Sequence, residues 1–150
     1  MICGIDNGVT GSIGFVGNGK AHIFKTPVFK DRYYTKKVKY ANRIHVGKLR
    51  QLFETFKPIK AFIERPMINS GRFQSTISAA RSMEATMIVL EELNIPYEFI
   101  DSKEWQKNLP EGDTKEQSLL KAKELYPDID FSKYKDADGL LIAHYENVLN

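Results

Sequence analysis

The sequence contains little cysteine and histidine, with one cysteine, Cys3, and three histidines among 150 residues. A single cysteine cannot form an internal disulfide, so a disulfide-stabilised scaffold is excluded and a reducing compartment is expected. So few sulfur and imidazole ligands also argue against a structural zinc module. A chain of this length can bury a hydrophobic core without such crosslinks, and we expect one domain over residues 1–150.

Long apolar runs are missing as well. No stretch approaches the about 18 consecutive apolar residues of a membrane span, so we expect no transmembrane helix. The N-terminal segment MICGIDNG has no basic residues followed by an apolar stretch, and we therefore expect no signal peptide. Both absences predict a cytoplasmic protein.

Acidic side chains are scarce in the first part of the chain. Residues 1–90 contain 15 Lys and Arg against 5 Asp and Glu, whereas residues 91–150 contain 7 against 14. Tyrosines are interleaved with the most basic stretch, residues 25–50. Positive charge beside aromatic rings suits a phosphate backbone and exposed bases, which favours nucleic-acid binding, although a solvated loop and helix face would look similar. The DNA-contact candidates in this stretch are Arg32, Lys36, Lys37 and Lys39.

Hydrophobic periodicity and turn residues predict an α/β fold. Strands are expected at residues 1–6, 12–16, 20–26, 60–64 and 97–100, and helices at 42–56, 75–93, 103–109, 114–126 and 137–149. Gly17-Asn18-Gly19 predicts a hairpin turn, Asn42 and Ser102 are expected to cap the helices after them, and residues 29–40 are interpreted as a mobile loop. Three antiparallel strands followed by βα units predict a mixed five-stranded sheet flanked by helices.

Several carboxylates lie where an unpaired acid would be costly. Asp6 and Glu64 end apolar strands, and parallel neighbours would bring these ends to one edge of the sheet. Asp136 and Asp138 precede the apolar run LLIA and are expected to join them from the start of the last helix. Taken one at a time, each acid could simply cap a turn, form an ion pair or interact with a helix dipole. Together they favour Mg²⁺ or Mn²⁺, and two such ions can support phosphodiester hydrolysis.

Three segments, in this order, resemble the acidic motifs of RuvC-type Holliday-junction resolvases in the ribonuclease H-like superfamily: GIDNGVTGSIGF, FIERP and DADGLLIA. The stretch from IDSKEWQK to KAKELYP resembles the family's Trp/Lys helix and the Lys-containing helix after it. Glu64-Arg65-Pro66 is most similar to the phage, viral and organellar branch. That similarity suggests a phage or viral source and, with it, the cytoplasm of a bacterial host.

The resemblance implies a homodimer that binds four-way DNA junctions and nicks two strands of like polarity symmetrically, leaving 5′-phosphates. It implies a Mg²⁺ or Mn²⁺ cofactor, two ions per active site, held by Asp6, Glu64 and Asp138. Asp136 takes the remaining acidic place, although it lies two residues before the last acid where the family has three or more. Asp128 and Asp130 are the alternatives for this ligand.

Other positions also acquire roles from the resemblance. Lys107 and Lys115 match basic positions near the scissile phosphate, although most lysines are simply exposed. The residue expected to enter the junction centre is Met67 by strict position or Phe73, which lies between Arg72 and Gln74. Trp105 is interpreted as a core residue. Small residues on the long helix, from Ala79 to Ala85, would allow a second copy to approach.

Alternative functions remain open at this stage. A general nuclease for branched DNA or flaps would use the same fold and metal site. A module that binds junctions without cutting them would not need the acids. An actin-like ATPase or sugar kinase shares a Gly-Ile-Asp-x-Gly start, but 150 residues are too few for its two domains.

Overall fold

A computed structural model describes residues 1–149 and contains a central five-stranded sheet. Its strands are β1 (Ile2–Ile5), β2 (Ser12–Gly17), β3 (Lys20–Lys25), β6 (Lys60–Glu64) and β7 (Tyr97–Ile100), in the spatial order β3-β2-β1-β6-β7. Strands β1, β2 and β3 are antiparallel, and β6 and β7 continue the sheet in parallel with β1. The predicted fold class, an α/β fold with a mixed five-stranded sheet, is therefore confirmed.

The hairpin between β2 and β3 turns as predicted. Asn18 and Gly19 have φ angles of 53° and 71°, the left-handed region that these residue types tolerate best. Five helices follow the strands at close to the expected places: α1 (Val46–Phe56), α2 (Phe73–Glu92), α3 (Ser102–Gln106), α4 (Thr114–Leu125) and α5 (Asp138–Leu149). Among residues 1–149, none of them is long and apolar enough to cross a membrane.

Two hydrophobic layers cover the sheet, one on each face. Helices α1 and α2 bury Leu49, Phe53 and Val89 against one face. On the other face α5 packs with Trp105 of α3 and Ala122 of α4. Alternating side chains of the central strands supply both layers, as the pleat of a strand requires.

Helix α5 lies unusually close to β1 and β2 because glycines face it. A Cβ on Gly4 would lie 2.3 Å from the carbonyl oxygen of Gly139, and one on Gly14 would lie 2.3 Å from the Cα of Leu140. Only residues without a side chain permit this approach. The contact places the first turn of α5 beside the carboxyl end of β1.

The prediction of a mobile loop at residues 29–40 is wrong, because this region begins a second hairpin. Strands β4 (Val28–Arg32) and β5 (Tyr40–Ile44) pair in antiparallel fashion. Most of their side chains are exposed or half-buried, so the segment lacks the alternation that marks a half-buried strand.

Two helix caps also differ from the prediction. Asn42 pairs with Lys30 inside this second hairpin and cannot cap α1; His45 does so, its Nδ1 accepting from the backbone N–H of Lys48 at 3.3 Å. At α3 the cap is Asp101 rather than Ser102, and Glu104 accepts from the Asp101 N–H at 2.9 Å. At each helix a nearby polar residue takes the cap position instead of the expected one.

Candidate metal centre and its surroundings

Three carboxylates meet at the carboxyl edge of the sheet. Asp6 directly follows β1, Glu64 ends β6, and Asp138 begins α5. The parallel register that pairs Ile5 with Ile63 brings the first two side by side. Oxygen atoms of the three side chains lie within 4.8 Å of one another. The prediction that these strand and helix ends converge is thus realised for Asp6, Glu64 and Asp138.

Burial and mutual repulsion perturb all three acids. Burial, followed by repulsion from Asp138 and Glu64, raises the pKa of Asp6 from 3.8 to about 8. Burial also raises the pKa of Asp138 to about 7 and that of Glu64 above its usual range. Ionising all three carboxyls would therefore bring together more negative charge than the nearby protein groups balance.

The donor set fits a divalent cation. The buried Oδ1 of Asp138 has no hydrogen-bond partner among the described residues, and it belongs to the three-carboxylate cluster. All the available donors are carboxylate oxygens, the ligands that Mg²⁺ and Mn²⁺ prefer. A bound cation would therefore offset both the burial and the mutual repulsion that raise the pKa values of these acids.

Trp105 orients one of these ligands. Its side chain is only 1% exposed, which confirms its assignment to the core. Its indole Nε1 also donates to Oε1 of Glu64 at 3.4 Å. The periodicity of α3 signals a buried tryptophan but contains no information about a partner 41 residues away.

Asp136 is buried beside the cluster but is bound to other groups. Its Oδ1 accepts from the hydroxyl of Ser12 at 3.4 Å, and its Oδ2 accepts from Nζ of Lys115 at 3.2 Å. The Ser12 hydroxyl in turn accepts from the backbone N–H of Gly139 at 3.1 Å. Asp136 precedes α5 and is not one of the three grouped carboxylates. Its role as a fourth ligand stays a prediction.

Lys115 is the basic residue that the fold brings to this centre. It lies in the first turn of α4, where the side chain of Asp113 caps the helix, and its side chain is 63% exposed. Its charge lowers the pKa values of Asp6, Glu64 and Asp138, opposing the larger effect of burial. Lys115 therefore combines contact with the buried Asp136 and access to solvent.

The other predicted polar residues lie elsewhere. Lys107 follows α3, is exposed, and acts electrostatically on Glu146, further along α5. The alternative ligands Asp128 and Asp130 are exposed and outside the carboxylate group, and Asp130 accepts from the backbone of Ser132 at 2.9 Å. The structure thus groups Lys115, and not Lys107, with the acids.

An open cleft of about 800 Å³ leads to the carboxylates, and Asp6, Glu64, Arg65 and Met67 help to line it. Met67 is 84% exposed. Phe73, which is 67% exposed, begins α2 after Arg72 and does not line this cleft. Both side chains are mostly exposed, so the prediction that one of them enters a junction stays open to either.

The basic candidates on the second hairpin surround its turn. Arg32 ends β4, and Lys36, Lys37 and Lys39 lie between β4 and β5. All four side chains are exposed. The hairpin leans on α2, where the guanidinium of Arg81 lies 5.8 Å from the ring centre of Tyr33.

Comparisons with known proteins identify the fold. No protein-family model and no curated protein matches the sequence. A structure of Thermus thermophilus RuvC in complex with a Holliday junction substrate aligns over 95% of this chain and 88% of its own, with TM-score 0.64 and 16% identity. A second structure of Thermus thermophilus RuvC aligns over 95% and 90%, with TM-score 0.57 and 16% identity.

A fowlpox virus resolvase in complex with its Holliday junction DNA aligns over 99% of both chains, with TM-score 0.49 and 12% identity. The two Thermus thermophilus alignments show that this chain has the RuvC fold. The fold implied by the sequence motifs is therefore confirmed.

Proposed function

We propose that this protein is a metal-dependent endonuclease that resolves four-way DNA junctions. As a homodimer of single-domain subunits, it would cut two strands of like polarity at symmetric positions. The observation that carries the proposal is the meeting of Asp6, Glu64 and Asp138 beside an open cleft of a RuvC fold, with Asp6 and Glu64 lining that cleft. The junction DNA in the Thermus thermophilus RuvC complex supports the choice of substrate.

The three carboxylates would hold Mg²⁺ or Mn²⁺, two ions per site if Asp136 contributes. A cation bound there would provide Lewis-acid stabilisation of phosphate charge and a water molecule of lowered pKa. In the net reaction, water adds to phosphorus and the bond to the 3′ oxygen breaks, leaving a 5′-phosphate and a 3′-hydroxyl. The indole of Trp105 donates a hydrogen bond to Glu64, and the close packing of α5 on Gly4 and Gly14 fixes the start of the helix, where Asp138 lies. Both side chains would therefore be positioned before a metal ion binds.

Lys115 would stabilise the charge that develops on the phosphate. Its ammonium group is tied to the buried Asp136 yet reaches solvent beside the acids. Asp136 in turn is fixed by Ser12, which also binds the start of α5 through Gly139. This hydrogen-bond network links the ammonium group of Lys115 on α4 to the first turn of α5, where Asp138 lies.

The homodimer follows from the substrate, since a two-fold symmetric protein suits paired cuts in a two-fold junction. Helix α2 is the proposed contact. Ser82 is buried in its own subunit, whereas Ala80 and Ile88 on the same helix are exposed. A phage-encoded enzyme of this kind would act in the cytoplasm of its host.

Cleavage of defined DNA forms tests the function. Purified protein is incubated with Mg²⁺ or Mn²⁺ and labelled four-way, three-way, flap and linear duplex DNA, with Asp6→Asn as the inactive control. Paired nicks confined to the four-way junction are expected, with Asp6→Asn still binding that junction. Cleavage of every branched form would favour a general branched-DNA nuclease. Tight binding without cleavage in either metal would favour a non-catalytic junction module.

The basic hairpin supplies a separate test of DNA binding. Reversing the charges of Lys36, Lys37 and Lys39 should weaken junction binding and flatten its dependence on salt. Each lost phosphate contact changes the slope of log affinity against log salt by about 0.9. An unchanged slope, measured by fluorescence anisotropy, would remove this turn from the DNA surface.

A further inference from the structure

A groove runs from the proposed metal centre to the second hairpin. It has a volume of about 490 Å³ and begins at residues 7–10, immediately after Asp6. One wall is the hairpin, at Tyr33, Val38, Ala41 and Asn42, and the other is formed by the first two turns of α2. We call this feature the hairpin groove.

The hairpin groove offers hydrogen-bonding groups and no negative charge. Its polar lining includes Thr10, Asn42, Gln74, Ser75 and Ser78, and none of its lining residues is acidic. Hydroxyls and amides are groups that contact phosphate and sugar oxygens in nucleic-acid complexes. The groove also starts beside the carboxylate centre, since Asn7 follows Asp6 directly and its Nδ2 donates to the carbonyl of Ala79 on α2 at 3.3 Å.

Positive charge and aromatic rings border the same groove. The only acid of the hairpin, Asp31, is neutralised by Arg43 at 2.7 Å, which leaves the lysines around Val38 unopposed. Tyr33 lines the groove, its ring centre lies 4.7 Å from that of the exposed Tyr34, and Arg81 sits over it. A cationic channel with stacking rings is the arrangement that holds single-stranded nucleic acid.

The size of the groove selects one strand. A volume of about 490 Å³ is that of a site for a small organic ligand, which suits about one or two nucleotides of a single chain better than a duplex. We propose that the hairpin groove binds unpaired nucleotides of the DNA strand that leads away from the cleaved phosphate. This inference rests on the proposed nuclease function, and it adds that the enzyme holds its junction with the strand opened beside the cut.

Two variants inside the groove and two matched controls test this. Gln74→Glu places a negative charge in the groove without changing its shape, and Tyr33→Ala removes the ring. The controls make the same changes outside it, as Gln51→Glu on α1 and Tyr40→Ala on the exposed hairpin. Tyr33→Phe, which keeps the ring, should restore binding.

Anisotropy is measured in EDTA with a labelled single-stranded oligonucleotide and with a duplex of the same length. We expect Tyr33→Ala to weaken single-strand binding by about fivefold or more, the cost of losing one stacking ring. Gln74→Glu should weaken it as well, because its charge repels phosphate, with duplex binding and both controls unchanged. Equal losses on single strand and duplex, or wild-type affinity in both groove variants, would overturn the proposal.

A crosslink locates the strand directly. A photoreactive residue at Ser75 should crosslink to nucleotides next to the cut on the cleaved strand of a four-way junction. If the wild-type protein cuts junctions but this crosslink falls only on duplex arms, the groove proposal fails and the nuclease function stands. If the single strand binds in the groove while no junction is cut, the nuclease function fails instead. Absence of all DNA binding would overturn both.

Discussion

Replacing Asp6 by Asn should stabilise the metal-free protein while abolishing cleavage. At pH 7 a carboxyl whose pKa is about 8 in the folded state and 3.8 when unfolded destabilises the fold. The free-energy penalty is on the order of 4 kcal/mol at 1.36 kcal/mol per pKa unit. Asparagine keeps the shape but cannot ionise. Because its amide must still be hydrogen-bonded, we expect a net gain of about 1–3 kcal/mol.

The sign of the pH dependence provides a second check. Between pH 4 and pH 8 the folded protein holds a proton on Asp6 that the unfolded chain has released, so wild-type stability falls as the pH rises. Asp6→Asn removes this contribution. The gap between variant and wild type should therefore widen with pH over this window.

Thermal unfolding in EDTA measures both effects. A gain of about 1–3 kcal/mol corresponds to an increase of roughly 2–12 °C in Tm for a chain of this size. Added Mg²⁺ or Mn²⁺ should raise the wild-type Tm more than that of Asp6→Asn, since a ligand stabilises only the state that binds it. Glu54→Gln, a change of the same charge type at an exposed position on α1, is the control.

The reasoning is refuted if Asp6→Asn unfolds at a lower temperature than the wild type in EDTA. It is also refuted if both proteins gain equally from the metal. The first result would mean that Asp6 stabilises the apo fold through contacts, and the second that the cation binds elsewhere.

Three further substitutions test the surroundings of this centre. Lys115→Met should slow single-turnover junction cleavage about a hundredfold with little loss of junction affinity, because it removes a preorganised positive charge; equal losses in both would contradict this. Ser12→Ala should lower the free energy of unfolding by about 1–3 kcal/mol, since the buried Gly139 N–H and Asp136 lose a partner, and an unchanged urea midpoint would exclude that network. Gly4→Ala should lower Tm far more than Gly47→Ala in α1, whose new Cβ would meet nothing closer than 3.5 Å; similar Tm values would refute the close approach of α5.

The parts of the site that depend on strand ends could be predicted from the sequence. Asp6 and Glu64 each follow an apolar strand, and parallel pairing leaves them only one edge at which to meet. Asp138 precedes an apolar helix that has to cover the same sheet. For these three acids, hydrophobic pattern and chain topology together determine the neighbourhood.

The second hairpin escaped prediction for a physical reason. Its strands expose most of their side chains, so pairing is specified by backbone hydrogen bonds and by the anchoring of Ile44 in the core. Neither leaves an alternating pattern in the sequence. The basic composition predicts a nucleic-acid contact in this segment, but composition carries no information about the groove that the hairpin forms with α2.

The contacts of Asp136 could not be predicted from the sequence. Asp136 lies two residues before Asp138, and side chains two residues apart on a helix point in divergent directions. From the sequence alone, the two acids would therefore not be expected to share a site on one helix. The structure places Asp136 before the helix, where direction is set by contacts instead: Ser12 on one oxygen and Lys115 on the other. Those partners lie 124 and 21 residues away in the sequence. Asp136 thus binds a lysine beside the three grouped carboxylates, a role that only the assembled fold defines.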